Sequence, residues 1–343
     1  MHMTQVSTED RHAPETTRPR LGFLGVGWIG YHRMRAIAET GMAEIAAIAD
    51  PSPRMVEEAA RLAPDARTLS SFDELLDQDL DGIVIATPTA LHAEQSMRVL
   101  GRGKAVFCQK PLGRNGGEVR AVIAAARSAN RLLAVDLSYR FTEAMRQIRR
   151  LVQSGELGDV YAAELTFHNA YGPDKPWFYE PALSGGGCVI DLGVHLVDLA
   201  LWVLDFPRVA RASSRLFANG QLLPASAGRA EDYALATIDL QTGAAIQLTC
   251  SWRLPAGRNA VISAAFYGTR GGAAMRNIDG SFYDFTAELY RGTSCETLTR
   301  PPDAWFGRAA VDWAERLAAG NQYDPGVERC ADVAAVLDRI YGS

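Results

Sequence analysis

The sequence predicts an α/β doubly wound parallel sheet followed by an α+β domain with a large, open, mostly antiparallel sheet. Three observations predict it. From Leu21 to about Arg140, short apolar runs alternate with stretches of helical periodicity, the pattern of βαβ units. In the first unit a GxGxxG motif, GVGWIG at residues 25–30, directly follows a strand and opens a helix. Beyond Phe141 the candidate strands are longer and half polar, and most follow one another without helices, which argues for antiparallel pairing with one face solvated or covered by a partner.

Taken in order, LGFLG is the first strand and the helix from Trp28 to Glu39 ends at Thr40 and Gly41. EIAAIAD is a second strand, followed by a helix with Pro53 at its start. ARTL is a short third strand, and SFDELL opens a helix with Ser71 and Glu74 spaced as a capping box. GIVIAT is a buried fourth strand, preceding the helix from Ala90 to Leu100, and KAVFCQ a fifth. The helix GEVRAVIAAARSAN then leads to LLAVDLSYR as the sixth strand, which completes a dinucleotide-binding Rossmann domain. Next come the helix TEAMRQIRRLVQSG, the strand YAAELTFHNAY, a Pro- and aromatic-rich loop, and the apolar helix CVIDLGVHLVDLALWVL. A run of strands between Arg208 and Tyr290 and two short helices close the chain.

At 343 residues the chain has room for about two domains. The boundaries read as a disordered tail over 1–19, a dinucleotide-binding domain over 20–140, and an α+β domain over 141–343. The tail is polar and contains His2 and His12, which are discounted as site residues. With 35 basic against 40 acidic residues and a net charge of −5, there is no global attraction to nucleic acid or an anionic membrane. No uninterrupted run of about 18 apolar residues occurs, and no apolar leader opens the chain. Five scattered cysteines without a CxxC suit reduced thiols and a cytoplasmic location.

Three stretches carry chemistry. In GVGWIG, Gly25 permits a tight turn, Gly27 lets backbone amides reach a pyrophosphate, and Gly30 allows close helix-to-strand packing. Trp28 and Ile29 belong to the same cofactor-binding turn. Asp50, twenty residues beyond Gly30, is placed to accept hydrogen bonds from ribose hydroxyls and to repel a 2′-phosphate, so NAD is preferred over NADP. Arg54 is the one nearby cation that argues the other way. The fourth strand ends in ATPTALH, which puts Thr87 and Pro88 at the edge where ligands bind in open α/β sheets, with His92 lining the site or packing beside it.

FCQKPLG ends the fifth strand at the same edge and carries Gln109 and Lys110. In the helix DLGVHLVDL, Asp191 and His195 stand four residues apart and Asp198 three further on. A carboxylate at that spacing can orient an imidazole for general acid/base work. A metal held by these three is the rival use, but no HxxxH, CxxC or HExxH spacing supports it.

In combination, GVGWIG, Asp50, ATPTALH, QKP, SYRF and DLGVHLVDL resemble the Gfo/Idh/MocA oxidoreductase family over residues 20 to 343. The resemblance implies hydride transfer between nicotinamide and a hydroxyl-bearing carbon of a sugar or polyol, and a homodimer or homotetramer formed through the second-domain sheet. It implies that Lys110 contacts the substrate hydroxyl and the nicotinamide region, that His195 exchanges the hydroxyl proton, and that Asp191 supports His195. The family commonly has Glu where this chain has Gln109. A lost charge beside Lys110 should lower the lysine's pKa, so Gln109→Glu is expected to keep activity and move the basic limb of the pH-rate profile upward. For substrate recognition the candidates are Tyr139, Arg140, His168, Trp177, Asp191 and His195, with Tyr171, Lys175 and Tyr179 nearby. A cofactor-bound sensor and a redox-cycling glycosidase are the alternative functions on this fold.

Overall fold

A computed structural model describes residues 18–224 and 228–342, so the expected tail lies, up to residue 17, outside the described residues. The first half is a parallel sheet ordered β3-β2-β1-β4-β5-β6, made of β1 (Arg20–Leu24), β2 (Glu44–Ala49), β3 (Arg67–Leu69), β4 (Gly82–Ile85), β5 (Ala105–Cys108) and β6 (Leu133–Val135). Helices α1 (Trp28–Thr40), α2 (Pro53–Leu62), α3 (Phe72–Leu76), α4 (Thr89–Gly101) and α5 (Gly116–Ala129) connect the strands. The strands read as almost unbroken apolar runs because both faces are covered, and Leu21, Phe23, Ile83, Val84 and Phe107 are wholly buried. Ser71 caps α3 through Glu74 N, but the Glu74 carboxylate turns back to Ser70 rather than closing the box on Ser71.

The sixth strand is much shorter than LLAVDLSYR suggests. It stops at Val135, because the Asp136 side chain turns inward to a buried arginine, and residues Ser138–Phe141 form a 3-10 turn that carries Tyr139 into the second core. Thr142 then caps α6 (Glu143–Gln153) through Met145 N.

The second sheet has nine strands, ordered β15-β14-β13-β12-β7-β11-β10-β8-β9. They are β7 (Val160–Asn169), β8 (Val209–Ala218), β9 (Gln221–Leu222), β10 (Tyr233–Leu240), β11 (Ala245–Ser251), β12 (Ala260–Gly268), β13 (Gly272–Asn277), β14 (Phe285–Arg291) and β15 (Ser294–Thr299). All pairings are antiparallel except β7 with β11. One face is apolar, with Ala163, Leu165 and Phe167 of β7 and Ile246, Leu248 and Cys250 of β11 buried beneath the helices. Their neighbours Glu164, Thr166 and Gln247 point to the opposite face.

Between β7 and β8 lie the short helix α7 (Pro181–Ser184), a π-helical turn over Val189–Gly193, and α8 (Val194–Val203). The stretch Pro181–Val203 is long and apolar enough to cross a membrane, yet its most apolar 18-residue window is 89% buried, and it forms the centre of the second core. The chain closes with α9 (Arg308–Ala318) and α10 (Arg329–Tyr341). Helix α9 returns to the first sheet, where Trp313 is fully buried against Phe107.

Candidate active site

At the C-terminal edge of β1 the three glycines have separate structural causes. Gly25 has φ +82°, and a Cβ there would stand 2.6 Å from the Ala86 carbonyl oxygen. A Cβ on Gly30 would run into the Gly25 carbonyl oxygen. By contrast, a Cβ on Gly27 would meet nothing within 4 Å, so the space before the helix is open. Gly27 caps α1 without a side chain, which leaves the first amides of the helix for an anion.

Asp50 is fixed beside this cradle. Its Oδ2 accepts from Val26 N and its Oδ1 from Ser52 N, both at 2.8 Å. Bare amides, open space and an oriented carboxylate fit the pyrophosphate and ribose of a dinucleotide. Trp28, 56% exposed, lays its ring 5.3 Å from Phe306, while Ile29 is half-buried and Arg54 exposed.

Lys110 leaves the end of β5 through a cis Lys110–Pro111 peptide and crosses to the π-helical turn. Its Nζ donates to both the backbone oxygen and Oδ1 of Asp191, at 2.7 Å each. The other carboxylate oxygen, Oδ2, accepts from Trp252 Nε1 at 3.0 Å. Both oxygens of Asp191 are therefore engaged, and among the described residues no hydrogen bond joins Asp191 to His195. The four-residue spacing suggested such a bond on an ordinary α-helix. Here the π-helical turn alters the helical register at Asp191, and Lys110 and Trp252 hold the carboxylate instead.

His195 lies on the first turn of α8, 7% exposed, with its ring 4.8 Å from Tyr139 and edge-on to it. Burial, followed by the positive charges of Lys110 and Arg33, holds its pKa well below the ordinary imidazole value. The ring is accordingly neutral at neutral pH and able to take a proton.

The remaining candidates divide. Thr87 and Pro88 sit at the β4 edge, where Thr87 Oγ1 donates to Gln95 Oε1. His92 is 2% exposed, and its two ring nitrogens lie 2.7 Å from the carbonyl oxygens of Pro111 and Thr87. It ties the two site loops together and presents neither nitrogen to the cofactor cleft. Arg140 donates to both carboxylate oxygens of buried Asp198, which removes that pair from His195 and from the substrate side. His168 falls on the open sheet face, since Phe167 before it points into the core. It bonds Ser251 Oγ at 2.7 Å and stacks on Tyr233. Trp177 stacks on Phe178, which with Tyr179 packs edge-on to Trp252, so the aromatic loop does reach the wall beside Asp191. Tyr171 and Lys175 are exposed and bond Asn259 and Asp174. Among the described residues no cluster of three metal-ligating side chains occurs.

Sequence reasoning missed Trp252, although it stands next after an apolar strand. It also missed Arg33, 1% exposed on α1, whose Nε bonds Asp136 Oδ2 at 2.5 Å. Gln109 is 8% exposed, and its Nε2 donates to that same Asp136 oxygen. The Gln109 side chain thus turns to Asp136 and away from Lys110, which undercuts the expectation that Gln109→Glu acts as a simple charge beside the lysine.

A doubly wound dinucleotide cradle beside a lysine from its own fifth strand end, with a carboxylate and a neutral histidine from the helices of the second core, defines an NAD-binding oxidoreductase. Residues 20–137 match the model described as oxidoreductase family, NAD-binding Rossmann fold, and residues 145–274 match the GFO/IDH/MocA C-terminal domain. The chain belongs to the GFO/IDH/MocA oxidoreductase family. It is 27% identical over 323 residues to an inositol 2-dehydrogenase of Rhizobium meliloti, covering 92% of this chain and 90% of that one. A structure of levoglucosan dehydrogenase with NADH and levoglucosan superposes with a TM-score of 0.80 at 22% identity, covering 94% and 96% of the two chains. The 3-ketoreductase KijD10 of Actinomadura kijaniata, in complex with NADP and TDP-benzene, gives 0.79 at 20% identity over 94% and 96%.

Proposed function

We propose that this protein is an NAD-dependent dehydrogenase that oxidises a secondary hydroxyl of a sugar, polyol or inositol-type substrate, or reduces the corresponding ketone. The single observation that carries the reading is the convergence of Lys110 and Asp191 at 2.7 Å beside a neutral, buried His195. The relatives named inositol 2-dehydrogenase and levoglucosan dehydrogenase support the substrate class.

Gly25, Gly27 and Gly30 would hold the pyrophosphate, and Asp50 the adenosine ribose; the bound nicotinamide supplies the hydride acceptor. Lys110, kept extended by Asp191, donates a hydrogen bond to the substrate oxygen and stabilises negative charge as it grows there. His195 takes the hydroxyl proton in oxidation and returns it in reduction. Phe178 and Tyr179, half-buried and packed edge-on to Trp252, offer aromatic faces for sugar C–H groups. Asp50 favours NAD over NADP, because a 2′-phosphate would meet its charge.

On this reading residues 20–140 bind the cofactor and 141–343 the substrate. The uncovered face of the nine-stranded sheet forms a homodimer or homotetramer, and the enzyme works in the cytoplasm. The test is a screen of sugars, inositols and sugar acids with NAD and NADP, followed by NADH or NADPH absorbance. Turnover that needs Lys110 and His195 supports the reading. Tight NADH binding without turnover on any substrate would favour a sensor.

A further inference from the structure

Beneath the strand end that carries Lys110, three side chains from three elements meet in a space closed to solvent. Arg33 comes from α1, Gln109 from the end of β5 and Asp136 from the end of β6, at 1%, 8% and 1% exposure. Asp136 Oδ2 accepts from both Arg33 Nε and Gln109 Nε2. The guanidinium rests on the Phe306 ring, 4.1 Å from its centroid. Arg33 Nη1 and Asp136 Oδ1 are buried without a partner among the described residues.

Counting formal charges around the site explains the arrangement. Arg33 and Lys110 are cations, Asp136 and Asp191 are anions, and His195 and Gln109 are neutral, so the set sums to zero. Glutamate at position 109 would place a second carboxylate against Asp136 Oδ2, the oxygen to which Gln109 Nε2 now donates. Two buried carboxylates in contact would share one guanidinium, and the set would carry a net negative charge. An amide at 109 is what Asp136 can accept from.

We propose that Asp136 with Gln109 is a positioning pair aiming Lys110 at Asp191. Arg33 is the counter-ion that makes a buried Asp136 tolerable, and its free Nη1 is the donor that a glutamate at 109 could use once Asp136 is neutral. The effect on turnover rests on the dehydrogenase reading above, whereas the coupling of 109 to 136 and the placement of Lys110 do not.

The test is a double-mutant cycle of Gln109→Glu, Asp136→Asn and the two combined. Three quantities are measured: melting temperature, the rate at which acetic anhydride labels Lys110 in the unliganded protein (by peptide mass spectrometry), and kcat and KM for whichever substrate the screen yields. Each single variant is expected to label Lys110 several-fold faster and to lower kcat about ten-fold or more with a smaller change in KM. The combined variant should return labelling and kcat to within about three-fold of the parent. A Gln109→Glu protein that matches the parent in labelling and kcat would overturn the proposal. So would a combined variant no better than the worse single. If no substrate is found, labelling and melting still decide the coupling while the dehydrogenase reading fails separately. Should a single variant not fold, Gln109→Ala, which removes the amide without adding charge, must still raise the labelling rate.

Discussion

Lys110 donates from one nitrogen to two oxygens of Asp191, and in doing so joins the end of β5 to the π-helical turn of the other core. The lysine side chain is 20% exposed and the aspartate 15%, so the pair is shielded but open on one side. Removing either partner strands the other in that setting. Lys110→Ala should lower kcat about 100-fold or more, and Asp191→Asn about ten-fold or more with KM less affected. Steady-state rates followed by NADH absorbance check this, and parental kcat in Lys110→Ala would remove the lysine from the chemistry.

A buried histidine kept neutral makes two predictions about pH with one sign. Below about pH 6.5 the unfolded chain takes a proton that the native His195 refuses, so native stability falls as pH drops from there toward the lower native pKa. Above that window His195 contributes no slope. The same depressed pKa means that oxidation should persist below pH 6.5 before base protonation stops it. His195→Asn should therefore lose less melting temperature between pH 7 and pH 5 than the parent. His92 and His168, also held low by burial, will keep part of the slope. Equal slopes in parent and variant would contradict the assignment.

Two glycines of one motif should fail differently. Gly27→Ala meets no protein atom, so melting temperature should change by no more than about one degree, while NADH binds about ten-fold or more weakly because the methyl occupies the anion's place. Gly30→Ala collides with the Gly25 carbonyl and should lower the melting temperature by several degrees even without cofactor. Thermal melts and NADH fluorescence titrations separate the two, and a matched loss of stability in both would refute the distinction.

How much of this was legible in the sequence follows from where each interaction lies. The cradle was readable because strand, glycine turn, helix and Asp50 lie within thirty residues and obey local rules. Lys110, Asp191 and His195 were found as residue types near strand and helix ends, but the partner of Asp191 was not. That depended on a π-helical turn and on Trp252, sixty-one residues away. Arg33 to Asp136 spans 103 residues, and nothing in YHRMRA marks Arg33 as buried. For His168 the reason is simpler. Alternation along β7 sends neighbouring side chains to opposite faces, and which face holds the site is decided only when the helices dock.

The helix that carries Asp191 and His195 is itself held by a buried acid outside the reacting groups. Glu231, 1% exposed, accepts from Gly187 N and Val189 N, and from the hydroxyl of Tyr341 near the end of α10. The same hydroxyl accepts from Ile190 N, so one tyrosine and one glutamate fix the start of the π-helical turn. Burial raises the pKa of Glu231, against the pull of those hydrogen bonds. Between about pH 4.5 and its native pKa the folded state therefore binds the extra proton, and stability from this group is lost as pH rises through that window. Glu231→Ala should cost about 3 kcal/mol or more, because two backbone amides lose their acceptor in a dry site. Tyr341→Phe should cost less, about 2 kcal/mol, since one backbone amide, that of Ile190, loses its acceptor while the glutamate keeps its backbone donors. Urea melts of the two variants check the ranking, and a Tyr341→Phe loss equal to that of Glu231→Ala would place the weight of the clamp on the tyrosine instead.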